Sequence, residues 1–132
     1  MDLDFYASPD AAEPSRRVSL RPGKIIGVGK NYRAHAAELG GEVPKEPLLF
    51  FKASSGLVAP GQAVVRPTGF ERVDFEGEIG VIIGKTGRRI ASEAALSHVL
   101  GFVCINDITI RDLQRKDSQW ARAKGFDCSC SV

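Results

Sequence analysis

The feature that most constrains this chain is a run of β-branched and apolar residues from 73 to 83 that carries acids at alternate positions. The acids are Asp74, Glu76 and Glu78. Residues i and i+2 of a β-strand point to the same face, so the pattern predicts one strand with its carboxylates in a row. The opposite face is apolar and is expected to lie in the core; its residues are Val73, Phe75, Ile79 and Val81.

A row of like charges on a half-buried sheet is unfavourable unless a cation compensates it. A further carboxylate, Asp107, directly follows the apolar run 102–105, which we interpret as a buried strand. Ligands that are all oxygen favour Mg²⁺, Mn²⁺ or Ca²⁺ over zinc or copper. The alternative is a solvated acidic strand edge with Asp107 as a turn residue or helix cap, and spacing alone leaves both interpretations open.

A second pair of chemical interest lies in a predicted helix that begins near Asn31 and ends at Gly40. His35 and Glu38 are three residues apart and are therefore neighbours on one helix face. A carboxylate beside an imidazole fixes its tautomer and raises its basicity, as removal of a proton from water requires. The same pair also fits an ordinary polar surface of a helix. The other histidine, His98, has no acidic partner at i−4 or i+4 and is assigned a structural role.

The remaining pattern is one of short strands and a few short helices, which predicts a mixed α+β architecture. Short strands are expected at 23–29, 48–51 and 63–65, and a helix is expected from Ser92 to about Leu100, ended by Gly101. Residues 1–23 are polar and proline-containing, which favours an N-terminal lead-in or short edge element over a part of the core.

Composition excludes several classes of protein. Eighteen basic and 16 acidic residues give a formal charge of +2, too small to indicate binding to nucleic acid or to a membrane surface. No apolar run approaches the length of a membrane span, and the acidic N-terminus has no signal-peptide pattern. Three cysteines fit neither a disulfide framework nor a four-ligand zinc site. We therefore expect a cytoplasmic protein.

Five collinear stretches make the chain resemble the fumarylacetoacetate hydrolase family, in particular its small acylpyruvase-like members. They are GVGKNYRAHAAELG (27–40), KEPLLFFK (45–52), VDFEGEIGVIIGK (73–85), NDITIRDLQ (106–114) and WARAKGFD (120–127). The resemblance implies a mixed β-sheet or β-roll of that family's C-terminal-domain type over residues 24–132. The family continues beyond this point with further strands and a Gly-Thr-Pro turn, so the domain is expected to be incomplete in this chain.

The resemblance also implies a role for individual residues. The implied metal ligands, for Mg²⁺ or Mn²⁺, are Glu76, Glu78 and Asp107, whereas Asp74 is a flanking acid. The implied catalytic residues are His35 and Glu38, which activate a water, and Lys124, which stabilises developing negative charge. The implied substrate-binding residues are Asn31, Tyr32, Arg111 and Gln114.

The function implied by the resemblance is divalent-metal-dependent hydrolysis or lysis of a carbon–carbon bond in a small 2-oxo acid, by a homodimer. Two alternatives stay open. Isomerase or decarboxylase chemistry could use the same site, because both need the same enolate-like charge to be stabilised. A non-catalytic fragment that binds a divalent ion or a partner chain would show no turnover, and its exposed sheet edges would drive association.

Overall fold

The computed structural model of the protein describes residues 1–8, 10–32 and 44–132. The strands are β1 (Asp2–Phe5), β2 (Arg16–Ser19), β3 (Ile25–Gly29), β4 (Leu48–Lys52), β5 (Leu57–Val58), β6 (Val73–Asp74), β7 (Gly77–Ile83), β8 (Val99–Asp107), β9 (Thr109–Ile110) and β10 (Cys130–Ser131). The helices are α1 (Arg111–Lys116) and α2 (Ala121–Lys124), with single 3₁₀ segments at Ser54–Gly56 and Ser92–His98. The helix predicted from Asn31 to Gly40 lies largely outside the described residues.

The largest sheet has the strand order β5-β10-β8-β7. β10 runs parallel to β5 and antiparallel to β8, and β7 and β8 form a long antiparallel pair. Three two-stranded ladders join β1 to β2, β3 to β4 and β6 to β9. Mixed sheets with a few short helices confirm the predicted α+β fold class.

The strand predicted as one piece from 73 to 83 is divided in two. Its first part, β6, pairs with β9, whereas its second part, β7, pairs with β8. Between them the backbone N–H of Glu76 donates to the side-chain Oδ1 of Asn106 at 3.1 Å, and the Glu76 carbonyl accepts from the backbone N–H of Asp107 at 2.8 Å. The register continues across the interruption, from Asp74 opposite Thr109 to Gly77 opposite Asn106, and this places Glu76 opposite Asp107 at the end of β8.

The apolar face of β7 is exposed, so its predicted place in the core is wrong for the described part of the chain. Ile79 is 69% exposed and Phe75 is 82% exposed. Val81, which pairs with the exposed Phe102 of β8, continues the same face. The alternation along the strand was predicted correctly, but no described element packs over its apolar side.

The buried core lies instead where β8 and β9 lead into the helices. Ile110 of β9, Leu113 of α1 and Ala123 of α2 form its centre. Partly buried side chains surround this centre: Phe70, Val73, Trp120 and Phe126. The core fixes the two helices against β6 and β9, and these helices carry Arg111 and Lys124.

The N-terminal residues form a short two-stranded element, and two other local predictions need correction. The polar lead-in contains the β1–β2 hairpin, in which Leu3 is buried, and the Phe5 ring packs against Gly101. Gly101 does not end a helix, because the 3₁₀ segment stops at His98 and residues 99–101 already belong to β8. Residues 63–65, which the structure describes, form no strand. Within the described residues, none of the helices has the length and apolar character of a membrane span.

Gly27 in β3 offers a test of the packing that supports the site. A Cβ at Gly27 would lie 2.1 Å from the ring of Phe50, whereas a Cβ at Gly23 would meet no atom within 4 Å. We expect Gly27→Ala to lower the free energy of unfolding by about 1–3 kcal/mol, because the ring must leave its packed position. Gly23→Ala is the control, with an expected change within about 0.5 kcal/mol. Equal values for the two variants in urea unfolding would contradict the packing at Gly27.

Candidate functional site

The carboxylate of Asp107 lies at the end of β8 and is held by two lysines. Asp107 is only 5% exposed. Lys52, from the end of β4, donates to its Oδ1 at 2.5 Å, and Lys124, from α2, donates to its Oδ2 at 2.6 Å. A buried carboxylate is stable only when it is paired and hydrogen-bonded, and here each oxygen has its own ammonium.

The Lys124 ammonium also contacts the neighbouring strand segment. It donates to Glu76 Oε2 at 3.0 Å and to the Thr109 hydroxyl at 2.8 Å, and lies 4.8 Å from the centre of the Phe50 ring. The Thr109 hydroxyl in turn donates to the backbone carbonyl of Asp107 at 3.0 Å. All three donors of this ammonium are therefore used, and it lies at the point where the carboxylates of Glu76 and Asp107 meet.

Lys52 is a member of the site that the sequence analysis missed. Besides Asp107, it donates to the backbone carbonyl of Lys124 at 2.6 Å, so it ties β4 to α2. Burial lowers the pKa of the Lys52 ammonium, and the negative charge of Asp107 opposes that shift. The sequence offered one signal for this residue, because Lys52 directly follows the apolar run Leu-Leu-Phe-Phe. A lysine at the end of a buried strand needs a partner for its charge.

The predicted substrate-binding pair Arg111 and Gln114 lies on the other side of Glu76. The Arg111 guanidinium donates through Nε to Asp74 at 2.9 Å and through Nη1 to Gln114 at 2.7 Å, and Nη1 lies 2.5 Å from Glu76 Oε1. Hydrogen bonds from Arg72 and then Arg111 lower the pKa of Asp74 to about 2. Arg111 thus orients two acids here, and its role toward substrate stays a prediction.

Glu78, the third predicted ligand, lies in an environment that raises the pKa of its carboxyl group. Partial burial raises the pKa of Glu78; a hydrogen bond with Tyr32 opposes this shift, and the charges of Glu76 and Asp107 add to it. The Tyr32 hydroxyl also accepts a hydrogen bond from the backbone N–H of Ile79 at 3.2 Å. A divalent cation near Glu78 would relieve this repulsion between carboxylates.

The structure thus brings some predicted residues together and leaves others apart. One neighbourhood contains the three predicted metal ligands and the predicted catalytic lysine: Glu76, Glu78, Asp107 and Lys124. Three predicted substrate-binding residues border it: Arg111, Gln114 and Tyr32. The fourth, Asn31, is exposed. His35 and Glu38 lie outside the described residues, so their pairing stays a prediction. The Nδ1–H of His98 donates to the backbone carbonyl of Lys85 at 2.9 Å, a contact that includes no residue of the cluster.

The acids of this neighbourhood offer only oxygen as ligand atoms. Within residues 1–8, 10–32 and 44–132, no three His, Cys, Asp or Glu side chains are arranged as a group that could hold a metal ion. Glu76 and Asp107 nevertheless share one cation, the ammonium of Lys124, and both offer only oxygen. Oxygen ligands of this kind suit Mg²⁺ or Mn²⁺. The three-carboxylate ligand set itself stays a prediction.

Comparison with known proteins places the chain in a family. Residues 24–132 match the family model described as fumarylacetoacetate (FAA) hydrolase C-terminal. The chain therefore belongs to the fumarylacetoacetate hydrolase family, which confirms the resemblance drawn from its motifs.

Named relatives differ in the reaction that their names describe. The chain is 42% identical to a 2,4-didehydro-3-deoxy-L-rhamnonate hydrolase of Sphingomonas over 83% of its length and 39% of that protein. It is 43% identical to the mitochondrial oxaloacetate tautomerase of Homo sapiens over 85% of its length and 36% of that protein. A solved 5-carboxymethyl-2-hydroxymuconate delta-isomerase of Mycobacterium smegmatis superposes with a TM-score of 0.76 at 33% identity, over 98% of this chain and 58% of that one. The chain thus spans 36–58% of the length of these three proteins.

Asp74 supplies a prediction about acid stability. Its pKa falls from 3.8 to about 2 on folding, so its stabilising contribution is complete above pH 3.8 and is lost as the pH falls through 2. Asp74→Asn should therefore reduce stability at pH 7, by about 1 kcal/mol for a partly exposed ion pair, and should flatten the pH dependence between those values. Chemical denaturation at several pH values measures both effects. Asp127→Asn, at an exposed position, is the control, and an unchanged pH profile in Asp74→Asn would contradict the assignment.

Proposed function

We propose that the protein is a divalent-metal-dependent hydrolase or lyase that cleaves a carbon–carbon bond in a small 2-oxo acid of the acylpyruvate type. The observation that carries this proposal is the shared cation position between Glu76 and Asp107, beside the half-buried Glu78. Family membership over residues 24–132 supports it. A homodimer and a cytoplasmic location are part of the same proposal.

The chemistry needs a site that accepts negative charge from a breaking carbon–carbon bond. A Mg²⁺ or Mn²⁺ ion held by Glu76, Glu78 and Asp107 would act as a Lewis acid toward the carboxylate and 2-oxo oxygens of the substrate. Lys124 is a preorganised donor in a buried environment, where its charge is most effective on a developing enolate oxygen. Hydrogen bonds of Lys52 and Thr109 hold Lys124 and Asp107 in position relative to each other.

Water activation is assigned to His35, with Glu38 orienting its ring. His35 would accept a proton from water as the water oxygen attacks the distal carbonyl carbon of the substrate. The carbon–carbon bond then breaks, and its electron pair enters the 2-oxo acid fragment as an enolate. The proton held by His35 can return to the carbon of that enolate, which completes two products and restores the base.

The second candidate is an isomerase or decarboxylase that uses the same site. The relatives named as a tautomerase and an isomerase favour this alternative. Such reactions need the same stabilisation of an enolate by Lys124, but they do not need a water placed for attack. His35 is therefore the residue whose replacement separates the two candidates.

The deciding experiment is an assay of the intact protein with acylpyruvates and with oxaloacetate, at a series of Mg²⁺ and Mn²⁺ concentrations. We expect hydrolysis of an acylpyruvate that disappears with chelator and returns with added metal. Isomerisation or decarboxylation without hydrolysis would support the second candidate. Activity that chelator leaves unchanged would refute the metal-dependent mechanism.

Glu76→Gln tests the ligand assignment. The substitution keeps the shape of the side chain and removes its charge, so it should weaken Mn²⁺ binding by more than the roughly 10- to 100-fold typical of residues behind the ligands. Turnover should be lost in parallel. Calorimetric titration with Mn²⁺ and the activity assay give the two readouts, and Glu71→Gln is an exposed control on the same segment. Normal Mn²⁺ affinity in Glu76→Gln would exclude this residue as a ligand.

His35→Ala tests the assignment of the base. Loss of a general base lowers hydrolysis by roughly 10²- to 10⁴-fold. Decarboxylation of oxaloacetate should persist, because that step does not require an activated water. An equal loss of both activities would show that His35 has a role in binding or folding rather than in water activation.

A further inference from the structure

Every carboxylate oxygen of Glu76 and Asp107 contacts a cationic nitrogen. Oε1 of Glu76 lies 2.5 Å from Arg111 and Oε2 lies 3.0 Å from Lys124. Oδ1 of Asp107 lies 2.5 Å from Lys52 and Oδ2 lies 2.6 Å from Lys124. Lys124 is therefore the cation that contacts both carboxylates, whereas Lys52 contacts Asp107 alone of the two and Arg111 contacts Glu76 alone of the two.

A divalent ion bound by both residues would need the same space as this ammonium. Mg²⁺ sits about 2.1 Å from its oxygen ligands, so an ion shared by Glu76 and Asp107 would be within a few ångströms of Lys124 Nζ. Two cations that close repel each other strongly in a buried environment, where screening by water is weak. The side chain of Lys124 is only 3% exposed, so its ammonium is buried and is weakly screened by water.

Lys52 is placed differently. It contacts Asp107 only through Oδ1 and uses a second donor on the backbone carbonyl of Lys124 at 2.6 Å. Its contacts therefore include no oxygen of Glu76. An ion that uses Asp107 Oδ2 and Glu76 Oε2 would leave both hydrogen bonds of Lys52 in place.

We propose that Lys124 competes with a divalent cation for Glu76 and Asp107, whereas Lys52 is a fixed positioning residue that holds Asp107 in either case. The inference rests on the proposed metal-binding function and specifies how that site is controlled. Release of Lys124 from Glu76 on metal binding frees a donor of its ammonium toward the substrate oxygen. The competition therefore couples metal binding to the availability of the catalytic ammonium.

The test measures Mn²⁺ affinity by calorimetry in the intact protein and in three lysine variants. Lys124→Met removes the competing charge and should tighten Mn²⁺ binding, within the roughly 5- to 150-fold range typical of coupled sites. Lys52→Met should tighten it much less or weaken it, because Asp107 loses its fixed partner. Lys85→Met, in the exposed turn after β7, is the matched control and should bind Mn²⁺ as the unchanged protein does.

Two results would overturn the competition. One is a Lys124→Met affinity equal to or weaker than that of the unchanged protein, which would mean that the ion binds beside the ammonium on a free lone pair. The other is equal tightening in Lys52→Met and Lys124→Met, which would show only a general effect of nearby charge. Either result leaves the metal-dependent function intact, whereas Mn²⁺ binding by none of the proteins would refute both proposals.

Lys124→Met removes three hydrogen bonds and could therefore disturb folding as well as charge. A second variant and a direct observation of the lysine ammonium groups separate the two effects. Lys124→Gln keeps a hydrogen-bond donor without the charge and should tighten Mn²⁺ binding in the same direction. In the unchanged protein with isotope-labelled lysine, Mg²⁺ should shift the ammonium resonance of Lys124 by nuclear magnetic resonance and leave that of Lys52 nearly constant. Equal shifts of both resonances, or none, would contradict the proposal.

Discussion

The carboxylate of Asp107 lies between two buried ammonium groups, and much of the described architecture depends on how those three charges are brought together. Lys52 comes from the end of β4, Asp107 from the end of β8 and Lys124 from α2. Loss of one member of a buried ion pair leaves an uncompensated charge and costs about 3–5 kcal/mol. The three elements are therefore held in one arrangement by electrostatics as well as by the small apolar core beside them.

The pairing of the 73–83 segment with β8 and β9 determines where Glu76 lies in this arrangement. One antiparallel register runs from the β6–β9 pair into the β7–β8 pair, so Glu76 lies opposite Asp107 and its backbone bonds with Asn106 and Asp107. Its carboxylate then lies between Arg111 and Lys124. The acids of the 73–83 segment consequently do different work, because Asp74 pairs with arginines whereas Glu76 shares an ammonium with Asp107.

Under the proposed function, this ion cluster would serve hydrolysis, isomerisation or decarboxylation, because the three reactions have one requirement in common. A 2-oxo acid that loses a proton, a carboxyl group or an acyl group develops negative charge on the same oxygen, and fixed cations stabilise that charge. What differs is the delivery of a proton or a water to the carbon atom involved. Under the proposed function, that difference would depend on His35 and on the substrate-binding residues, rather than on the Lys52–Asp107–Lys124 arrangement.

The sequence by itself determined the fold class, the family and the alternation of acids with apolar residues, because periodicity and collinear motifs are local properties of the chain. A strand at 102–105 followed by an acid was predicted and is part of the longer β8, whereas the helix expected before it is a 3₁₀ segment that ends at His98. The pairing that places Glu76 opposite Asp107 was not predictable, because it depends on the register between two segments distant in the sequence. Only the tertiary structure showed that Lys52 is buried against Asp107 and that the apolar face with Ile79 and Val81 is exposed. Whether a lysine is buried against a carboxylate, or an apolar face is covered, depends on contacts with residues distant in the sequence.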